Sequence, residues 1–319
     1  MPPTRPASSS PERNVFGQTG EEVTRLGFGA MELAQVSGGP EEAAAGRLLN
    51  DVLDSGINFI DTAPDYGHSE ALIGRFLAAR RDEFFLASKC GCLVDREPGL
   101  ADGKLEHDFS ASNIRAGVEQ SLRRMKTDRL DLVQVHSSPD RSTIEAAGTV
   151  EEMVRLREEG KVRFLGMSST MPEIEGHLDM GVFDAFQIPY SALQPEHDAI
   201  IRRAAALGAG TIIRGGVARG ATAPDYEDAA KHGYWRSFVA ERKNLWARAG
   251  LDALLRDAGD MPRMEFMLRF VLSHPDLHTT IVGTGKTAHL QSNLAAAAKG
   301  PLPEDLVRSL ESLGEPDSG

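Results

Sequence analysis

Four side chains with complementary acid–base chemistry lie near the ends of three apolar runs: Asp61, Tyr66, Lys89 and His136. A phenol has a pKa of about 10 and is a poor acid at neutral pH, but a neighbouring ammonium stabilises the phenolate and lowers that pKa. A carboxylate keeps the ammonium charged, and an imidazole can donate a hydrogen bond to the oxygen that gains charge. Such a set could protonate a carbonyl oxygen or remove a proton from an alcohol, with Tyr66 as proton donor.

These four groups supply a proton but neither electrons nor a nucleophile. Reduction of a carbonyl would therefore need a hydride donor, and a nicotinamide is the natural one. Each residue alone also has an ordinary structural interpretation, since Asp often belongs to a turn, and Lys often stands where a strand meets water. Their occurrence together at three successive strand ends favours catalysis, provided that those strands lie side by side.

The rest of the chain alternates strand-like and helix-like segments, which would bring those ends together. Apolar runs predict eight strands, at 25–29, 57–61, 84–89, 130–136, 162–167, 183–188, 210–214 and 279–282. Helical periodicity predicts helices at 41–55, 69–79, 112–125, 150–159, 172–179, 196–207, 262–273 and 286–297, with Ser110 capping the third. Eight strand–helix units indicate an α/β fold, a (β/α)8 TIM barrel with its active site at the C-terminal face.

Short segments outside the alternation complete the predicted organisation. A hairpin over residues 15–25 is expected to plug one end of the barrel. Residues 1–13, rich in Pro and Ser, predict a disordered tail instead of a signal peptide, and residues 315–319 a flexible C-terminus. Residues 14–314 would then form one barrel domain. Long loops at 93–108 and 221–260 are expected at the C-terminal face.

Bulk composition narrows the classes of partner. The 319 residues carry a net charge of −12, which argues against nucleic acid, and no run approaches the roughly 20 apolar residues of a membrane span. The only cysteines, Cys90 and Cys92, stand too close for an ordinary bridge and fit a reducing cytoplasm. We interpret them as buried small residues instead of a redox pair. No His-x-His pair is present, so no metal site is predicted.

Several stretches resemble the aldo-keto reductase superfamily. They are Leu26–Met31, Phe59–Ala63 with Tyr66-Gly67, Ala87–Lys89, Val133–His136, Gly166–Ser168, Phe186-Gln187 and Ile281–Thr284 with Asn293. The resemblance spans residues 26–293 and implies a (β/α)8 barrel that uses NAD(P)H without a Rossmann domain. It implies reversible reduction of an aldehyde or ketone to an alcohol. It also implies that Asp61, Tyr66, Lys89 and His136 are the catalytic residues.

The same resemblance assigns cofactor contacts by position. It implies that Gly29, Ala30 and Met31 lie along the cofactor near the first strand end, that Ser168, Ser169 and Gln187 face the nicotinamide carboxamide, and that Asp61 and Arg214 also contact the cofactor. It implies that the pyrophosphate is met by Gly215, Gly216, Val217, Arg219 and Gly220. Two positions depart from the family pattern. Ser169 stands where relatives commonly have Asn, and Arg214 stands where many have an aromatic ring, although an Arg plane can also stack.

The segment Gly283-Thr-Gly-Lys-Thr287 resembles a phosphate-binding P-loop, but that motif needs Gly at position 280, where the chain has Thr. It fits better as the turn that binds the adenosine 2′-phosphate at a helix N-terminus, through Gly283, Thr284 and Lys286. The resemblance places His289 where relatives often carry an Arg for this phosphate, and Asn293 against the adenine. NADPH is therefore favoured, and NADH remains an alternative.

The predicted partner is a small-molecule carbonyl or alcohol. Its pocket would be lined by Tyr66, His136 and Trp235, the last in the aromatic-rich loop 221–260. A sugar, a steroid-like ketone, a polyketide and a small toxic aldehyde all stay open as substrates, as does the oligomeric state. Two alternative functions also stay open: a nicotinamide-binding regulatory subunit that senses redox state, and an enzyme that works mainly as an alcohol or sugar dehydrogenase.

Overall fold

A closed barrel of eight parallel strands forms the centre of the molecule, in the order β10-β3-β4-β5-β6-β7-β8-β9. The computed structural model describes residues 11–34, 39–94, 106–218, 241, 246–247, 250–257 and 260–313. The barrel strands are β3 Leu26–Gly29, β4 Phe59–Asp61, β5 Phe85–Cys90, β6 Leu130–Val135, β7 Val162–Ser168, β8 Ala185–Pro189, β9 Gly210–Arg214 and β10 Thr279–Gly283. The eight predicted strands are confirmed, and most bounds move by one or two residues.

Helices follow the strands and cover the barrel. They are α1 Gly39–Asp54, α2 Ser69–Phe76, α3 Ala111–Met125, α4 Arg141–Ala146, α5 Thr149–Glu158, α6 Glu173–Leu178, α7 Asp198–Ala206, α8 Leu251–Asp257, α9 Arg263–Leu272, α10 Thr287–Ala297 and α11 Glu304–Leu313. The predicted cap at the start of α3 is confirmed, because the side chain of Ser110 accepts a hydrogen bond from the backbone of Asn113. The short helix α4, helix α8 within the segment predicted as a long loop, and the C-terminal helix α11 were not predicted.

The N-terminal hairpin closes one end of the barrel, as predicted. Its strands, β1 Arg13–Val15 and β2 Glu22–Thr24, pair antiparallel. Phe16 follows β1, is fully buried, and lies 5.8 Å from the Phe59 ring and 5.4 Å from the Phe85 ring. The next residue must be Gly, since a Cβ on Gly17 (φ 54°) would lie 2.4 Å from the backbone nitrogen of Gly210. An apolar plug therefore fills the barrel beneath the strand ends that carry the predicted site.

No helix among the described residues is long and apolar enough to cross a membrane. Most of the predicted N-terminal tail and the C-terminal segment lie outside the described residues, as do residues 95–105 and nearly all of 219–245. Arg219, Gly220 and Trp235, predicted to contact cofactor or substrate, therefore belong to segments that the structure does not describe.

Candidate active site

A buried ion pair lies where β4 and β5 end. Lys89 Nζ is 2.6 Å from Asp61 Oδ2, and both side chains are fully buried. Strand register explains the contact, because Asp61 pairs with Ala87 and the side chain of Lys89, two residues further on, points to the same face. Burial lowers the pKa of Lys89 below its usual value, and the carboxylate of Asp61 opposes that shift.

Two amides complete the surroundings of this pair. Gln134 Nε2 and Gln187 Nε2 each donate to Asp61 Oδ2 at 2.9 Å, so this one oxygen accepts from three donors. Gln134 was missed in the sequence, although it lies two residues before His136 and therefore on the same face of its strand. Asp61 Oδ1 is buried and accepts no hydrogen bond from the described residues. The fixed oxygen orients the ammonium of Lys89.

The phenol and the imidazole lie on the more open side of the ion pair. The rings of Tyr66 and His136 meet edge to face with centroids 6.2 Å apart, and Lys89 Nζ is 5.9 Å from the Tyr66 centroid. Both residues are partly exposed, in contrast to Asp61 and Lys89. All four predicted residues are thus brought together, with the charged pair buried and the phenol and imidazole partly exposed.

His136 has further polar neighbours that sequence reasoning did not connect to it. Its Nδ1 is 3.3 Å from Cys92 Sγ and 3.5 Å from Asp65 Oδ2. Burial lowers the pKa of His136, Asp65 opposes this and Lys89 adds to it, so the ring is neutral at neutral pH. Burial alone would raise the pKa of Asp65, but contacts with His107, His136 and Cys92 outweigh it and bring that pKa below its usual range. A neutral His136 can donate a hydrogen bond, as the predicted chemistry requires.

Cys90 and Cys92 are buried and form no disulfide, which confirms that they are buried small residues. Burial raises the pKa of the Cys90 thiol to about 12 and that of Cys92 also well above its ordinary value. Both thiols are therefore protonated at neutral pH. The contact between Cys92 and His136 was not foreseen, because the two residues are 44 positions apart.

The residues predicted to face the nicotinamide carboxamide lie together at the ends of β7 and β8. Ser168 Oγ donates to Gln187 Oε1 at 3.1 Å. The Ser169 hydroxyl instead lies 2.8 Å from Ser138 Oγ and 3.0 Å from His177 Nδ1. Ser138 was not singled out in the sequence. Ser168 and Gln187 therefore stand closest to the acid–base residues, whereas Ser169 also serves contacts within the protein.

Further residues predicted to lie along the cofactor surround the ends of β9, β10 and β3. Gly29 pairs with Gly283, and a Cβ on Gly283 would lie 3.0 Å from the carbonyl oxygen of Gly29. Ala30 is buried next to them, and Met31 is partly exposed. Gly215 has a φ of 73°, and a Cβ there would meet no heavy atom of the described residues within 4 Å. The backbones of Gly29 and Gly283 therefore pack closely against each other, whereas the backbone of Gly215 is open among the described residues.

Helix α10 presents its N-terminus at the same place. Lys286 is its N-cap residue but makes no capping hydrogen bond with its side chain, so the first amides of the helix are available to an anion. Thr284 is buried and accepts from the Lys286 backbone at 3.0 Å, whereas Lys286 and His289 are exposed and Asn293 is partly exposed. Gly216 and Val217 follow the end of β9, whose last residue is Arg214, the residue predicted to lie at the nicotinamide. These residues fit the phosphate-bearing end of a dinucleotide.

Comparison with known proteins agrees with this geometry. The chain matches the Aldo/keto reductase family model over residues 25–315. It is 28% identical to the uncharacterized oxidoreductase YqkF of Bacillus subtilis, over 96% of this chain and 97% of that protein. It is 26% identical to D-threo-aldose 1-dehydrogenase of a Pseudomonas species, over 93% of this chain and 94% of that protein.

Solved structures lead to the same family. The holo form of aldo-keto reductase AKR11C1 from Bacillus halodurans matches with a TM-score of 0.75 and 28% identity, over 95% of this chain and 96% of that chain. The barrel and the oxidoreductase class predicted from the sequence are therefore confirmed. The chain belongs to the aldo/keto reductase family.

Proposed function

We propose that the protein is an NADPH-dependent reductase that converts an aldehyde or ketone into an alcohol, reversibly, with Tyr66 as the proton donor. The observation that carries this proposal is the buried pair of Asp61 and Lys89 beside the rings of Tyr66 and His136. When bound, NADPH supplies the hydride to the carbonyl carbon. The protein's own residues handle the proton and the charge on oxygen.

Lys89 keeps its charge because Asp61 lies 2.6 Å away and is itself held by two amide donors. An ammonium close to a phenol favours the phenolate and so makes the phenol a better acid. The neutral imidazole of His136 donates a hydrogen bond to the carbonyl oxygen and fixes its direction. Charge that develops on that oxygen is then met by the proton of Tyr66.

The preference for NADPH rests on the turn before helix α10. Lys286 is exposed at the helix N-terminus, where a cation and the helix amides would both favour the 2′-phosphate. Thr284 adds a hydroxyl to the same turn. His289, in the next turn of the helix, offers fewer hydrogen-bond donors to a phosphate than an Arg would.

A sugar or a sugar-derived carbonyl is the first substrate class to test, since one relative similar over nearly its whole length is named as an aldose dehydrogenase. That name also motivates the second candidate function, in which the same residues work mainly in the oxidative direction. Tyr66 would then accept the proton of the alcohol, with Lys89 stabilising the phenolate in the same way.

The proposal is tested by NADPH oxidation with the purified protein over a panel of aldoses, aliphatic and aromatic aldehydes, and ketones. NADP⁺ reduction over the matching alcohols tests the reverse direction. We expect saturable turnover in at least one direction. Tight NADPH binding without turnover in either direction, on any member of the panel, would contradict the proposal and favour a cofactor-sensing subunit.

A further inference from the structure

Four side chains that could each offer a ligand atom to a metal ion lie close together in the candidate active site: Asp65, Cys92, His107 and His136. One ligand atom of each lies within 4.8 Å of all the others. His107 Nε2 is 3.1 Å from Asp65 Oδ2, which is in turn 3.5 Å from His136 Nδ1, and Cys92 Sγ is 3.3 Å from the same Nδ1. Their side chains are buried or partly buried, so this is an interior cluster.

The backbone holds two of these donors in place independently of their side chains. Cys92 and His107 are partners in an antiparallel bridge, which joins the two ends of the loop between them. Asn113 Nδ2 donates to the carbonyl oxygens of Cys92, at 3.1 Å, and of Asp108, at 2.6 Å. Helix α3 thus fixes both ends of the loop. This arrangement holds the Cys92 thiol and the His107 imidazole close to His136.

Hydrogen bonding does not account for every atom of the cluster. Asp65 Oδ2 is buried and accepts no hydrogen bond of good geometry from the described residues, although two ring nitrogens lie within ion-pair distance of it. A carboxylate oxygen in such surroundings is usually satisfied by a directed donor or by a cation. The ligand atoms of Cys92, His107 and His136 gather around this oxygen, and such an arrangement points to a bound cation.

We propose that Asp65, Cys92, His107 and His136 form a binding site for a zinc ion. Tetrahedral zinc with bonds of about 2.0 Å to nitrogen and oxygen and about 2.3 Å to sulfur separates its ligands by about 3.3 Å (N to O) and about 3.6 Å (N to S). The three measured separations in the cluster lie close to those values. A set of one sulfur, two nitrogens and one carboxylate oxygen suits zinc better than magnesium or calcium, which prefer oxygen.

Charge is balanced in the loaded site. The Cys92 thiol loses its proton to solvent as zinc binds, and its thiolate together with the Asp65 carboxylate neutralises the two positive charges. Two groups oppose binding. The Lys89 ammonium acts on both His136 and Cys92, and the Ser137 hydroxyl already lies 3.0 Å from His107 Nε2 and would have to move.

Zinc at this site would act on His136 through its Nδ1. The proton of the neutral ring would then have to sit on Nε2, the ring nitrogen that remains for a substrate oxygen. The absence of a His-x-His pair in the sequence argued against a metal, but these ligands come from four separate segments that only the fold brings together. Zinc binding itself does not depend on the proposed reductase reaction.

The test is a titration of the full-length protein, kept reduced and stripped with a chelator, with zinc chloride by calorimetry and with cobalt(II) by absorbance. We expect one equivalent of zinc to bind, and cobalt to show the charge-transfer band of a thiolate ligand. Cys92→Ser and His107→Ala should each weaken zinc binding by more than about 100-fold, and Cys92→Ser should abolish the cobalt–thiolate band. Circular dichroism establishes that each variant is folded.

Cys90→Ala is the matched control, since Cys90 is a buried cysteine two residues away that lies outside the cluster. This variant should keep both the stoichiometry and the affinity. Failure of the wild type to bind zinc would overturn the proposal and leave a hydrogen-bond network. Binding that is equally strong in Cys92→Ser and His107→Ala would also overturn it, because the ion would then sit elsewhere. Neither result would bear on NADPH turnover.

Discussion

Gln187 donates a hydrogen bond from Nε2 to Asp61 Oδ2 at 2.9 Å across the barrel, although the two residues are 126 positions apart. The other end of the same amide accepts from Ser168 at 3.1 Å. Gln187 therefore joins the residues expected to face the nicotinamide to the ion pair expected to tune Tyr66. In the proposed enzyme, one side chain would then serve both cofactor binding and proton transfer.

Gln134 makes an equivalent hydrogen bond to Asp61 Oδ2 at 2.9 Å. Substitutions of Gln187 and Gln134 should therefore differ in their effect on cofactor binding. Gln187→Met should lower kcat and raise the Kd for NADPH, each by about 10-fold, the value of one hydrogen bond. Gln134→Met, the matched control, should lower kcat but leave that Kd nearly unchanged. Stopped-flow kinetics and fluorescence titration measure the two quantities. Equal effects of both variants on the Kd would show that Gln187 does not meet the cofactor.

Stability should fall as the pH drops below about 6.5. Burial lowers the pKa of His136, His177, His197, His274 and His278 in the folded state. The unfolded chain therefore binds more protons than the folded one in this range, and each histidine removes up to about 1.4 kcal/mol of stability per pH unit until its folded pKa is reached. Urea unfolding between pH 7.5 and pH 5 measures the slope. A free energy of unfolding that stays constant or rises towards pH 5 would contradict these shifts.

Much of this architecture could be predicted from the sequence. Apolar runs located every barrel strand, because buried parallel strands leave a clear signal. The short helix α4 was missed, since its six residues carry too little periodicity to be distinguished from a loop. Asp65 was not singled out in the sequence. Its contacts with His107 and His136 depend on how distant loops fold over the barrel, and a single sequence does not encode that in any local pattern.

Lys286→Ala should weaken NADPH binding by about 10-fold or more while leaving the affinity for NADH nearly unchanged. The reason is that one charge-assisted contact to the 2′-phosphate is worth about 1.5–3 kcal/mol and NADH has no such group. Lys299→Ala, which removes an exposed lysine just beyond the other end of helix α10, is the control and should change neither affinity. Equilibrium titration with NADPH and with NADH measures the two dissociation constants. Equal weakening of both would mean that Lys286 does not distinguish the two cofactors.

The most direct test of the central claim is Tyr66→Phe, which removes one hydroxyl and keeps the ring beside His136 and Lys89. With the best carbonyl substrate, we predict that kcat falls by about 10²–10⁴-fold, the usual contribution of a positioned general acid. The Kd for NADPH should stay close to that of the wild type. A Tyr66→Phe enzyme that turns over at nearly the wild-type rate would contradict the assignment of Tyr66 as proton donor.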